Sequence, residues 1–119
     1  MKTCKYFSAA EFKRCSPSCS INQMDDSFLV TLDALRAQAG IPLVLTSAYR
    51  SPAWDKSKGR SGTGAHTKGL AVDIKANASG TRLKIVEAAL ALGIRRIGVA
   101  ANFVHVDIDK SLPEGIWTY

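Results

Sequence analysis

The chain has only two histidines, His66 and His105, and each sits in a segment of unusual make-up. The first is Gly64-Ala65-His66-Thr67-Lys68-Gly69-Leu70-Ala71-Val72-Asp73 and the second is Phe103-Val104-His105-Val106-Asp107. His66, Asp73 and His105 together make a set of two imidazoles and one carboxylate. Three such ligands leave the fourth position of a tetrahedral zinc open, which is what separates a catalytic zinc from a structural one. A lone histidine on a strand is more often a surface or core residue than a ligand. A carboxylate inside a β-favouring run is less ordinary, because Asp is depleted from strands. Val72-Asp73-Ile74 and Val106-Asp107-Ile108 each contain one.

For the set to meet, the local elements must aim it. Alternate strand residues share a face, so Ala71, Asp73 and Lys75 point one way while Leu70, Val72 and Ile74 point to the core. Phe103, His105, Asp107 and Asp109 likewise share a face opposite Val104, Val106 and Ile108. On neighbouring strands, Asp73 and His105 are expected on one exposed face. Gly69 lets the backbone turn from the His66 segment into the Asp73 strand.

Around these segments the sequence predicts the following. Ser8 and Glu11 form a capping-box pattern, placing a short helix at about Ala9 to Arg14, and residues 15–20 form a loop. Asp26 or Ser27 caps a helix in which Phe28, Leu32, Leu35 and Ala39 recur at helical spacing until Gly40. Pro42 to Ala48 and Leu70 to Lys75 read as strands, and a helix capped by Ser79 or Thr81 runs on to Gly93. Ile94 to Ala100 and Phe103 to Ile108 read as a hairpin turning near Ala101-Asn102, and the tail from Pro113 is left unassigned. Residues 49–69, rich in Ser, Gly, Lys and Arg, form a long connection of the kind that is functional or disordered. Its glycine-rich run, Gly59 to Gly64, lacks the Gly-Lys-Ser/Thr ending of a phosphate loop and reads as a flexible approach to His66. The element order implies an α+β fold, one domain over residues 1–119, with helices packed on a largely antiparallel sheet.

Composition sets bounds on function. An apolar share of 46% with 22% charged residues is that of an ordinary globular domain, and no apolar run approaches the ~20 residues of a membrane span. No membrane insertion is therefore expected. The first residues carry lysines but no apolar signal core, so synthesis in the cytoplasm without a signal peptide is expected, with action elsewhere only after release or delivery by a virion. The net charge of +6 serves solubility or attraction to a polyanion such as an anionic cell wall. The basic residues are scattered and carry no nucleic-acid-binding motif, so that partner is not expected. Cys4, Cys15 and Cys19 are an odd set confined to the first twenty residues, which reads as free or buried thiols rather than a disulfide framework.

Thr46-Ser47-Ala48-Tyr49-Arg50-Ser51, His66-Thr67-Lys68-Gly69-Leu70-Ala71-Val72-Asp73-Ile74 and Phe103-Val104-His105-Val106-Asp107, in that order, resemble the D-alanyl-D-alanine carboxypeptidase family of zinc peptidases. That family includes peptidoglycan peptidases and phage endolysins and shares its fold with the hedgehog signalling domain. Glu11-Phe12 followed by nearby cysteines is similar to its small, phage-type members. The resemblance implies Zn2+ as cofactor, His66, Asp73 and His105 as its ligands, and bacterial cell-wall peptide as substrate; a monomer is expected, though nothing in the residues fixes the oligomeric state. It also implies that Arg50 engages substrate near the scissile bond, where a guanidinium can clamp a carboxylate or a developing oxyanion. The plainer role for Arg50 is that of a solvated loop charge.

Two positions depart from the family pattern. Many members carry a Glu three residues before the second His as general base, and this chain has Asn102 there. Asp107 is the next candidate, although ~6.6–7 Å of strand separates it from His105; it serves equally well as a group that orients a ligand histidine. Asp109 and Glu114 are weaker candidates. Where members commonly have a Ser two residues before the first His, this chain has Gly64, with Ser61 or Thr63 as possible substitutes. Two functions remain: a zinc metallopeptidase acting on peptidoglycan as carboxypeptidase or endopeptidase, or a catalytically degenerate zinc-containing module that binds cell-wall peptides. Tyr49 and Trp54 either line a cleft or anchor the loop by packing.

Overall fold

A computed structural model describes residues 1–119. The fold is α+β, with a five-stranded sheet in the order β1-β2-β4-β3-β5. The strands are β1 (Leu45–Ser47), β2 (Ala71–Lys75), β3 (Arg96–Val99), β4 (Phe103–Asp107) and β5 (Gly115–Thr118). All neighbours pair antiparallel except β3 and β5, which are parallel. The helices are α1 (Ala9–Lys13), α2 (Asp26–Ala39), α3 (Pro52–Ser57) and α4 (Ser79–Ala91), with 3₁₀ turns at Ile21–Gln23 and Ala65–Lys68.

Binary patterning explains the two-layer arrangement. Val72 and Ile74 pair with Val106 and Val104, and these in turn pair with Ile97 and Val99, so one sheet face is continuously apolar. Helix α4 lies on that face through Ile85, Ala88 and Ala89, and α2 packs on α4 with Phe28, Leu32 and Leu35 fully buried. A core of 23 buried residues results, including Phe12, Ile21 and Met24 from the N-terminal segment. Full burial of such side chains is worth ~1.5–3 kcal/mol each against exposure. Here the hydrophobic effect fixes the strand register, because a slip of one residue would turn every apolar side chain to the other face.

Several boundaries differ from the sequence expectation. Helix α2 is capped one residue earlier than expected: Asp25 Oδ1 accepts the Phe28 N–H at 3.0 Å. It ends as expected on Gly40, whose φ of 67° is the left-handed conformation glycine tolerates. Helix α4 has no side-chain cap; it begins after Ala78 without help from Ser79 or Thr81. The loop between residues 49 and 69 contains α3, whose signals are a Ser51 N-cap accepting from Trp54 N–H at 3.0 Å and Pro52 in the first turn. The tail contains β5, which extends the sheet through β3. All three cysteines are free, with Cys15 and Cys19 buried and hydrogen-bonded to carbonyls of α1.

Candidate metal centre

The second sheet face carries the chemistry. Asp73 and His105 are direct cross-strand partners, and the row continues from His105 to Gly98 on β3 and on to Trp117 on β5. At the other end Ser47 joins the row opposite Asp73. It does so because β1 is irregular: Leu45 opposes Ile74, yet Ser47 opposes Asp73, leaving Thr46 as the extra residue of a bulge. Regular pairing would have turned Ser47 to the core. Gly98 contributes through what it lacks. A Cβ there would lie 2.5 Å from Trp117 Nε1, so only glycine lets the indole lie across the sheet, its ring 5.3 Å from that of His105.

His66 reaches this row from the 3₁₀ turn. The turn closes on Gly69, whose φ is +70° and whose missing Cβ would sit 2.4 Å from Gln23 O. Asp25 N–H donates to Gly69 O at 3.0 Å, Arg50 N–H donates to His66 O at 3.2 Å, and Lys68 Nζ donates to Asp109 Oδ2 at 2.8 Å. The turn is thus pinned to three separate parts of the chain, and His66 is buried with its ring edge-on to His105.

The three side chains converge. His66 Nε2 lies 3.2 Å from His105 Nδ1 and 3.3 Å from Asp73 Oδ1, and His105 Nδ1 lies 3.1 Å from Asp73 Oδ1. Ligands about 2.05 Å from a tetrahedral cation stand about 3.3 Å apart, so this triangle matches one face of such a coordination shell. The proton arrangement points the same way. His66 Nδ1 lies 2.6 Å from Ala48 O, which can only accept, so the ring proton is on Nδ1 and Nε2 offers a lone pair. His105 Nε2 lies 2.6 Å from the Asp107 carboxylate, which likewise places the proton outside and the lone pair on Nδ1. Three lone pairs therefore face one another in a buried space and need a cation among them. His66, Asp73 and His105 could hold a metal ion.

In the metal-free chain a proton takes the place a cation would have. Burial alone would raise the Asp73 carboxyl, but the His105 and His66 rings against it outweigh burial and hold Asp73 well below the usual carboxylate range. Burial alone would lower His105; Asp107 at Nε2 and Asp73 at Nδ1 favour a second ring proton and raise it above the ordinary imidazole value, and a bound cation would displace that proton from Nδ1. The sequence expectation of an exposed face for Asp73 and His105 is corrected here. They are 7% and 6% exposed, and Trp117 lies beside His105 while the Arg50 segment covers Asp73.

The remaining predicted residues fall as follows. Arg50 Nη2 donates to Asp73 Oδ2 at 3.0 Å and its Nε donates to Ser47 Oγ at 3.0 Å, so it is fixed at the edge of the triangle. Asp107 lies on the far side of the His105 ring. Its Oδ2 accepts the His105 Nε2–H hydrogen bond at 2.6 Å, while its Oδ1 accepts from Arg96 Nε at 2.8 Å and Asp109 N–H at 3.0 Å. Burial alone would raise Asp107, but these bonds, His105 first, hold it low. Asp109 is bonded to Lys68 and Ser111, and Glu114 pairs with Arg95 at 3.5 Å on the surface. Asn102 is exposed in the β3–β4 turn. Tyr49 packs against the core, whereas Trp54 stands among cations.

Four contributors were missed from the sequence: Ser47, the Ala48 carbonyl, Arg96 and Trp117. Only Arg96 and Trp117 left a trace, as a charge and an aromatic alternating with Ile97 and Ile116. The glycine-rich run is not slack: Asp55 Oδ2 accepts the Gly62 N–H at 3.2 Å, and Arg60 N–H donates to Asp55 O at 3.2 Å, folding the run back on α3.

Comparison with known proteins gives one finding. A family model described as Peptidase M15 matches residues 5–107. No curated protein matches the chain.

Proposed function

We propose that this chain, which belongs to the peptidase M15 family, is a zinc-dependent metallopeptidase that hydrolyses peptide bonds of bacterial peptidoglycan. The observation that carries the proposal is the triangle of His66 Nε2, Asp73 Oδ1 and His105 Nδ1, with edges of 3.1–3.3 Å and every lone pair turned inward. A zinc ion bound there supplies Lewis acidity toward water and a peptide carbonyl near neutral pH.

The chain's own residues do the positioning. Ala48 O fixes the His66 tautomer and Asp107 fixes that of His105, the arrangement by which carboxylates and carbonyls orient metal-ligating imidazoles. Arg50 uses two of its five N–H groups on Ser47 and Asp73. The other three are left to bind a substrate carbonyl or carboxylate and to stabilise charge that develops on the carbonyl oxygen. Held by both contacts, the guanidinium does not reorganise when the substrate arrives. Trp117 and the Arg50 segment narrow the approach and limit bulk water. Of the two roles weighed for Asp107, orientation of His105 is the one its hydrogen bonds favour.

One observation favours a second reading, a zinc-containing module that binds cell-wall peptides without cutting them. Asp107, Asp109 and Glu114, the carboxylates considered as general base, are each engaged elsewhere, and Asn102 stands where many relatives have Glu. The test is elemental analysis coupled to mass-spectrometric product mapping on defined muropeptides. Expected are one zinc per chain, release of a single new amine, and loss of both in His66→Ala. Zinc-loaded protein that binds muropeptides without cutting them would establish the second reading, and cleavage persisting in His66→Ala would end the metal mechanism.

A further inference from the structure

We infer that Arg96 is a positioning residue of the metal centre, and that through it the segment after residue 107 is a working part of that centre. Arg96 closes a circuit of four side chains, His105, Asp107, Arg96 and Trp117, in which each lies against the next. Two routes then lead from the guanidinium to the His105 ring, one through a carboxylate and one through an indole. The inference rests on the metal-binding part of the peptidase reading and adds a residue and a segment to it. The region matched by the family model stops at residue 107, so Pro113 and Trp117 lie beyond it.

His105 Nε2–H donates to Asp107 Oδ2 at 2.6 Å, and Asp107 Oδ1 accepts from Arg96 Nε at 2.8 Å. Arg96 Cζ stands 4.8 Å from the Trp117 ring centroid, and that ring stands 5.3 Å from the His105 ring. A second guanidinium nitrogen, Nη1, donates to Pro113 O. Asp107 is buried, and the Arg96 side chain is nearly so. A guanidinium that grips a buried carboxylate by one edge also fixes how that carboxylate turns. With Oδ1 held by Arg96 and by Asp109 N–H, Oδ2 is left facing His105. The indole lies against both the guanidinium and the imidazole, so the ring that Arg96 holds by its π face also limits how His105 can tilt.

Backbone pairing supplies the circuit. Arg96 faces Asp107 across β3 and β4, and Gly115 across β3 and β5. Gly115 has no side chain to obstruct the guanidinium, and Trp117 follows it on the same face of β5. Gly115 N–H donates to Arg95 O at 2.9 Å, which anchors the turn that brings Pro113 O to Arg96. Arg96, His105, Asp107 and Trp117 all line one cleft of about 200 Å³ that also contains His66. Contact of a peptide with the Trp117 wall is therefore transmitted to a metal ligand through Arg96. Lysine could supply the charge here but not the fork and the flat face together.

The test measures zinc affinity of the full chain by competition with a chromophoric chelator, in the wild type, R96Q, R96K, W117L and R96Q/W117L. R95Q is the control: it removes the same charge one residue away, from an exposed side chain paired with Glu114, and should bind zinc as the wild type does. R96Q should bind zinc about tenfold more weakly, the lower end of what partners of metal-bound histidines contribute, and R96K should recover only part of this. Removing a cation from beside a metal site would by charge alone strengthen zinc binding, so a loss is the signature of lost positioning. Because both routes end on His105, the double variant should depart from the product of the single losses by more than about twofold, the limit for independent sites. A second readout needs no metal. In chelator-treated protein the His105 Nε2 proton, followed by NMR, should be protected from exchange in the wild type and R95Q and exchange faster in R96Q. Wild-type zinc affinity in both R96Q and R96K, or losses in R96Q and W117L that simply multiply, overturns the circuit. Should R96Q fail to fold, R96K serves the same comparisons. If the wild type takes up no zinc, the metal reading fails on its own and proton exchange decides: faster exchange in R96Q sustains the positioning role, and unchanged exchange overturns it.

Discussion

Asp107→Asn separates orientation from proton transfer. The substitution keeps shape and removes charge. Oδ1 must still accept from Arg96 Nε and Asp109 N–H, so the Asn oxygen takes that place and its NH2 faces His105 Nε2. Two donors would then oppose each other at what is now a 2.6 Å contact. The imidazole can relieve this only by moving its proton to Nδ1, the atom that faces His66 and Asp73. Zinc affinity should therefore fall by ~10–100-fold, or about 1.4–2.8 kcal/mol. Folding stability should drop by ~1–3 kcal/mol. The lower half of that range is favoured because the Arg96 side chain is 16% exposed and keeps its contact with Pro113 O. Zinc affinity would be read by competition with a chromophoric chelator, and the tautomer by nitrogen NMR of His105. Wild-type affinity in the variant would refute the orienting role. Full zinc occupancy with lost turnover would instead make Asp107 the group that carries the proton.

Arg50→Lys should reduce kcat/KM by ~10²-fold while leaving zinc content intact, because one ammonium cannot bridge Ser47 and Asp73 and still present donors to substrate; steady-state kinetics beside metal analysis checks this, and unchanged kinetics would remove Arg50 from the site. Gly69→Ala should lower stability by at least ~2 kcal/mol in a denaturant titration, since φ +70° and a 2.4 Å approach to Gln23 O leave no place for a methyl group. Chelator-treated protein should respond to pH with a definite sign. His105 is raised in the folded state, so its contribution is complete below the unfolded value of ~6.5 and is lost as pH climbs through the higher folded value. Asp73 is depressed, so its contribution holds above ~3.9 and is lost on acidification below that. Thermal midpoints should thus peak in mild acid and decline above neutrality, while zinc affinity rises over the same interval as His105 loses its second proton; a metal-free midpoint that rises steadily from pH 6 to 9 would contradict this.

The triad was legible because its residue types are scarce and strand alternation is strict. Two histidines and an Asp between Val72 and Ile74 leave few ways to be arranged once the apolar face is buried. What stayed hidden depends on departures from regularity or on partners distant in sequence. No pattern in Leu45-Thr46-Ser47 announces that Thr46 is bulged, yet that bulge moves Ser47 from the core side to the site. Trp117 is one aromatic in a four-residue strand whose pairing with β3 is decided by Gly98, nineteen positions earlier. The same distance effect produced the wrong expectation of an exposed face, since alternation says which way a side chain points and nothing about what later covers it. Helix α3 did carry its signals in Ser51 and Pro52, masked by the Ser, Gly and Lys around them.

Strand pairing moves in whole residues, and this has a consequence for how the site can fail. Sliding β2 against β4 by a single step would set Asp73 against a valine and expel Val72 and Ile74 from the interior at once. No half-assembled intermediate of the row exists between those two alignments. A chain that has collapsed correctly has already brought its two central ligands face to face, so inspection of the interior doubles as inspection of the working surface.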